Sequence, residues 1–216
     1  HYEQIASLKP DLILDVKSSG DKDRHDRLSQ IATTVGIPEG GTNYLTTMDQ
    51  QVTMIATALG QPAKARELLD GVDASYKKVA DAHPQWKDKT VTVAARTSQG
   101  WGAYVEGETR LAALEKLGFK QNPAIASMTP SSSGFSVSVS SEQLSVFNAD
   151  LIVAFPIYID TTQITDDAQW KQLSTVQAGH AAVIDGDLSS AFSVGTTLAV
   201  NYMLDNMVPK LEKATA

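Results

Sequence analysis

Twice in this chain a Glu-Gln pair opens a short amphipathic segment, and an aspartate eight positions after the glutamate opens an apolar run. The first copy is Glu3-Gln4-Ile5-Ala6-Ser7-Leu8-Lys9-Pro10-Asp11-Leu12-Ile13-Leu14; the second lies in Ser141–Pro156, with Glu142-Gln143 and Asp150-Leu151-Ile152-Val153. Each copy reads as helix, turn and strand. Leu12–Leu14 and Leu151–Val153 are continuous apolar runs, the pattern of strands covered on both faces of a parallel sheet. Ser140 with Gln143 predicts a capping box, and Glu142 suits the positive end of a helix dipole. Helix–loop–strand units also recur by chance in α/β proteins, and two copies are few.

The 216 residues suffice for one large or two small domains, and a hydrophobic content of 42% supports a core. A formal charge of −7, with no Lys/Arg cluster, excludes nucleic acid as a partner. Without cysteine there are no disulfides, thiolate metal sites or Cys nucleophiles. The apolar runs are too short to span a bilayer. No signal peptide opens the sequence; His1-Tyr2 already stands at a helix start, as in the middle of a longer protein.

Between the copies, Lys17–Asp21 is a polar turn, and Asp23–Thr33 carries Leu28, Ile31 and Ala32 at helical spacing. Val35 and Ile37 suggest a short strand, and Gly40-Gly41-Thr42-Asn43 a loop. Thr47 with Gln50 predicts a capping box on a helix that stops at Gly60. Pro62 starts the longest helix, to His83, with Leu68, Leu69, Val72, Tyr76, Val79 and Ala80 on its apolar face. A second α/β set opens at Val91–Ala95. There follow a loop over Thr97–Gly102, a short strand at Ala103–Val105, a helix over Glu108–Leu117 stopped by Gly118, and a surface loop over Asn122–Gly134. Asp167–Leu173 is a short helix, Ala181–Ile184 the last strand and Val194–Leu211 the final helix.

Phosphate loops, nucleophile elbows and H-E-x-x-H are absent. His1, His25, His83 and His180 are scattered, and Asp21-Lys22-Asp23 with Asp26 lacks the glycine and distal glutamate of a calcium loop, so no metal site is expected. Arg96, Trp101, Tyr104, Arg110, Phe155 and Tyr158 cluster at predicted strand ends, where open parallel sheets bind ligands. Aromatic area and guanidinium forks suit a large, partly anionic ligand. Two readings stand for each: Trp101 and Tyr104 are equally at home in a core, and Arg96 in a surface ion pair.

These segments resemble the ABC-transporter substrate-binding proteins of the ferric-siderophore and vitamin B12 class. Glu3-Gln4-Ile5-x-x-Leu8-Lys9-Pro10-Asp11-Leu12-Ile13 is similar to that family's first-lobe signature, and Leu28–Ile37 to the segment after it. Gly107-Glu108-Thr109-Arg110-Leu111, Leu117-Gly118-Phe119, Ser141–Leu144 and Trp170-x-x-Leu173-x-x-Val176-x-Ala178-Gly179 resemble second-lobe landmarks. The resemblance implies an α/β fold of two Rossmann-like lobes joined by one long helix: residues 1–61, 62–84 and 85–216. Relatives begin with further strands, so the first lobe is expected to be incomplete.

The resemblance further implies a non-enzymatic, extracytoplasmic and lipid-anchored or periplasmic monomer. It would carry a ferric siderophore to an ABC permease, with no cofactor of its own. Glu3 and Glu142 match the glutamates that dock to permease arginines, and Arg110 matches a ligand contact. Lys17-Ser18 and Ile157 stand where catecholate-binding relatives place arginines, which disfavours a tris-catecholate; Lys17 joins the six residues above as a ligand candidate. Haem or cobalamin on the same fold, or a two-lobed Rossmann-like enzyme acting on an anionic substrate, are the alternatives.

Overall fold

The computed structural model describes residues 1–41 and 44–216; Thr42 and Asn43, half of the expected glycine loop, lie outside them. The chain divides into two compact units, His1–Gly71 and Val72–Ala216. The long helix Pro62–Ala82 begins in the first and continues in the second. No described helix is long and apolar enough to cross a membrane.

In the first unit the helix Tyr2–Ser7 leads into β1 (Leu12–Leu14), which pairs in parallel with β2 (Thr33–Val35). The helix Lys22–Ser29 connects them. Asp21 caps it by accepting from the Arg24 N–H, and Leu28 is its buried anchor. The expected capping box forms at Thr47: its hydroxyl accepts from the Gln50 N–H while the Gln50 side chain accepts from the Thr47 N–H, starting the helix Met48–Ala58. The expectation that the first strand is covered on both faces needs correction. Leu12 and Ile13 are half-buried and Leu14 is exposed, so among the described residues the faces of this two-stranded sheet are only partly covered.

The second unit holds six strands. β3 (Thr90–Thr97) and β7 (Leu151–Pro156) lie at the centre, flanked by β4 (Gly100–Tyr104) and β6 (Ser136–Val139) on one side and β8 (Ala181–Val183) on the other. The short β5 (Lys120–Gln121) pairs with the start of β3. β3, β7 and β8 are parallel; β4 runs against β3, and β6, antiparallel to β4, runs again in the direction of β3. Side chains alternate between the two faces of a strand. On one face Ala94, Trp101, Ala103, Ile152 and Ala154 pack with Phe147, Ile164 and Trp170. Val93, Tyr104, Val153 and Phe155 point the other way and are buried too.

Several local expectations change here. Thr97–Gly102 is not a loop: Thr97 pairs with Gly100 across a two-residue turn, closing a β3–β4 hairpin. Asn122, read as the start of a surface loop, is 3% exposed; its side-chain amide donates to Thr92 Oγ1 and to the Val146 carbonyl, and Ile125 beside it is buried. Ser141–Phe147 is a 3-10 helix. The Ser140 hydroxyl reaches the Gln143 side chain at 3.3 Å but caps no backbone N–H, so the capping box expected there does not form. The helix Gly186–Val194 precedes the final helix Thr197–Ala214, and neither it nor β6 was expected.

Candidate functional site

β7 ends at Pro156 and β8 just before Asp185, both at the carboxyl side of the parallel strands. There the chain after β7 and the start of the helix Gly186–Val194 border an open groove of about 760 Å³. Arg110 and Phe155 line its inner end, Tyr158, Asp160 and Asp185 its rim. Crevices at this edge are where open α/β sheets hold ligands.

Arg110 is held from several sides. It stands in the first turn of the helix Thr109–Glu115, whose N-cap is Glu108. Its guanidinium lies 4.4 Å from the Tyr104 ring centre and 5.4 Å from that of Phe155. Those two rings are stacked at 6.0 Å, and Phe192 meets Phe155 edge-on at 6.2 Å. Arg110 Nε donates to Ser193 Oγ at 3.1 Å, and Nη1 donates to Glu108 Oε1 at 2.5 Å. The cation thus rests on an aromatic floor with its plane fixed. Burial pushes the Tyr104 hydroxyl above its ordinary pKa against the opposing pull of Arg110, so it stays a neutral donor.

The sequence candidates therefore separate. Tyr104, Arg110 and Phe155 come together on one face of the sheet, and Tyr158 stands at the groove rim. It is fully exposed, on a left-handed backbone (φ 56°) that costs a non-glycine residue energy. Arg96 and Trp101 lie on the opposite face. Trp101 is 3% exposed, and its ring stacks on Trp170 at 5.5 Å and meets Phe147 edge-on, so the core already uses its aromatic area. Arg96 places its guanidinium 5.6 Å from the Trp101 ring centre and donates to the Thr97 carbonyl; its Nε is buried with no hydrogen-bond partner among the described residues. Lys17 is half-buried in the turn after β1, in the first unit.

Glu3 and Glu142 are both exposed in the first turn of their helices. Neither forms an ion pair among the described residues, and no group of His, Asp or Glu there could hold a metal ion. Glu108, Ser193, Asp160 and Asp185 were missed by the sequence reading. Glu108-Thr109-Arg110 carried the signal, an acid two positions before the arginine at a helix start; Ser193 carried none.

A family model described as "Periplasmic binding protein" matches residues 1–188. A probable siderophore-binding lipoprotein, YfiY, of Bacillus subtilis (strain 168) is 28% identical over 217 residues, which cover 96% of this chain and 65% of the relative. A putative ABC transporter substrate-binding lipoprotein of the same organism, YhfQ, is 26% identical, covering 85% of this chain and 58% of the relative. The chain thus spans less than two thirds of the length of these relatives. Among solved structures, PiaA from Streptococcus pneumoniae TIGR4 in complex with ferrichrome is similar with a TM-score of 0.83 and 23% identity, covering all of this chain and 73% of PiaA. FhuD2 from Staphylococcus aureus with bound ferrioxamine B is similar with a TM-score of 0.77 and 22% identity, covering all of this chain and 81% of FhuD2. At such identities the likeness is one of fold.

Proposed function

The chain belongs to the periplasmic binding protein family, and we propose that it captures a ferric siderophore outside the cytoplasm and delivers it to the permease of an ABC importer. In this reading it is a carrier and not an enzyme, and the iron arrives already chelated. The observation that carries the reading is the groove at the sheet's carboxyl edge, where Arg110 lies over Tyr104 and Phe155. A fixed guanidinium above aromatic area offers hydrogen bonds and a flat surface to an oxygen-rich chelate. The relatives' names point the same way: one is a probable siderophore-binding lipoprotein, and one solved neighbour holds ferrichrome. A lipid anchor or periplasmic location follows for this protein in the same reading.

Of the candidate contacts, the geometry best supports Arg110 and Tyr158 as direct ones, with Tyr104 and Phe155 as the floor. Lys17, Arg96 and Trp101 are weaker members of the set. Glu3 and Glu142 are the proposed permease contacts, residues 62–84 the helix connecting lobes 1–61 and 85–216, and the protein acts as a monomer.

Calorimetric titration of the full chain with ferric hydroxamate, catecholate and citrate complexes tests the ligand. At least one should give saturable heat, and Arg110→Ala should weaken it tenfold or more, about 1.4 kcal/mol. Absence of saturable heat across the panel would overturn the siderophore reading. Glu3→Ala with Glu142→Ala should leave the titration unchanged and abolish uptake in cells; a weakened titration would return both glutamates to a structural role.

A further inference from the structure

Arg110 is not a bare cation. Glu108 is 6% exposed, and its single carboxylate holds Arg110 twice: Oε2 accepts from the Arg110 backbone N–H at 2.8 Å and Oε1 from Nη1 at 2.5 Å. A buried carboxylate this close cancels most of the arginine's charge as seen by a ligand. With Nε committed to Ser193, Nη2 is the guanidinium nitrogen without a hydrogen-bond partner among the described residues. Its two N–H groups remain to donate to ligand oxygens.

The rim adds negative charge. Asp160 accepts from the Thr162 hydroxyl at 2.6 Å and the Thr162 N–H at 2.9 Å, which holds its carboxyl below the usual pKa range. Asp185 accepts from the Thr161 hydroxyl at 2.9 Å. Arg110 is the cation among the groove's lining residues; it is paired with Glu108, and Asp160 and Asp185 line the same groove. As this unit presents it, the groove is acidic.

We propose that Glu108 is a specificity-determining residue: by neutralising Arg110 it makes the groove accept a neutral or cationic ferric chelate and turn away a polyanionic one. The inference rests on the siderophore reading. Three hydroxamates, each with one negative charge, balance a ferric ion and leave the complex neutral. Three catecholates, each with two, leave it strongly anionic. A site with an uncompensated arginine would favour the second kind, and burying Glu108 beside Arg110 reverses that preference.

The test measures the affinity of the full chain for a neutral ferric tris-hydroxamate and an anionic ferric tris-catecholate, in wild type, Glu108→Gln and Asp160→Asn. Glutamine retains an oxygen for the Arg110 N–H and loses the charge. Wild type should prefer the neutral complex by about tenfold or more. Glu108→Gln should shift the ratio toward the anion by about tenfold, less at high salt. Asp160→Asn should shift it in the same direction by less, and decides the matter if the buried variant fails to fold. A wild type that prefers the anion, or a ratio that neither variant moves, would overturn this proposal alone. If wild type binds neither complex, the proposal falls, and the siderophore reading falls with it when the citrate complex gives no saturable heat either.

Discussion

The two copies of the Glu–Gln repeat align residue for residue, yet they sit in different physical worlds. Leu8 and Phe147 occupy the same place, and Leu8 is 80% exposed while Phe147 is fully buried. Asp11 and Asp150 both precede an apolar strand. Asp150 accepts from both the N–H and the hydroxyl of Thr90 at 2.7 Å, tying the start of β7 to that of β3, whereas Asp11 makes no such bond among the described residues. β1 has β2 as its neighbour, and β7 lies between β3 and β8. A repeat in sequence thus specifies element type, while the neighbours decide whether that element becomes core. The exposed Glu3 and Glu142 are what the copies share most fully, which suits surface contacts better than packing.

The sharpest way to break this comparison is truncation at the matched pair. Phe147→Ala should cost about 3–5 kcal/mol, since it removes a ring packed edge-on against Trp101. Leu8→Ala should stay within about 0.5 kcal/mol. Urea denaturation followed by circular dichroism measures both, and equal losses would show that the first copy is as well packed as the second. Next in size, Asp150→Ala should lose about 1 kcal/mol, allowing for its partial solvation, and Asp11→Ala less than half of that. The same denaturation series decides it, and an Asp11 loss as large as that of Asp150 would contradict the clamp.

The smallest effect distinguishes the units by pH. In the second unit His83 Nδ1 bonds to the Val79 carbonyl and Nε2 to Glu212, each at 2.8 Å, and the ring stacks on Trp86 at 4.0 Å. Burial opposes the imidazolium, but the bonds to Glu212 and Val79 outweigh it and raise the pKa. A raised value means stability present at low pH and lost as pH rises through it. In the first unit Asp15 pairs with Arg24; burial opposes its ionisation, but bonds from Arg24 and Ser18 win and its pKa falls. That contribution is present at neutral pH and lost as pH falls through the lowered value. Thermal melts should therefore show His83→Ala flattening the decline between about pH 6 and 8, and Asp15→Asn flattening the decline in acid. A slope unchanged in either variant would remove that pair from the account.

Much of the fold was legible because its signals are local. The apolar runs of β3, β7 and β8, the Thr47–Gln50 box and the proline-started long helix are written within a turn or a strand. β6 was legible in principle, since Ser136–Val139 alternates polar and apolar and buries Val137 and Val139, but the serine run before it reads as loop. The site was half legible. Arginines and aromatics at strand ends marked it, but spacing could not say that Arg96 and Trp101 belong to the opposite face from Arg110 and Phe155. For Trp101 that depends on the tight turn pairing Thr97 with Gly100, which fixes the register of β4, and for Arg96 on the pairing of Ala95 with Phe155 across β3 and β7.

By itself the sequence determined the α/β character, the duplicated helix–strand plan, the long helix and the arginine at the helix start after Gly107, because periodicity and caps act over a few residues. Tertiary structure alone decided which copy is buried, where Trp101 spends its ring and how much charge Arg110 has left to offer. Those outcomes hang on contacts between residues far apart in the chain, such as Trp101 with Trp170 and Arg110 with Ser193, which no local pattern encodes.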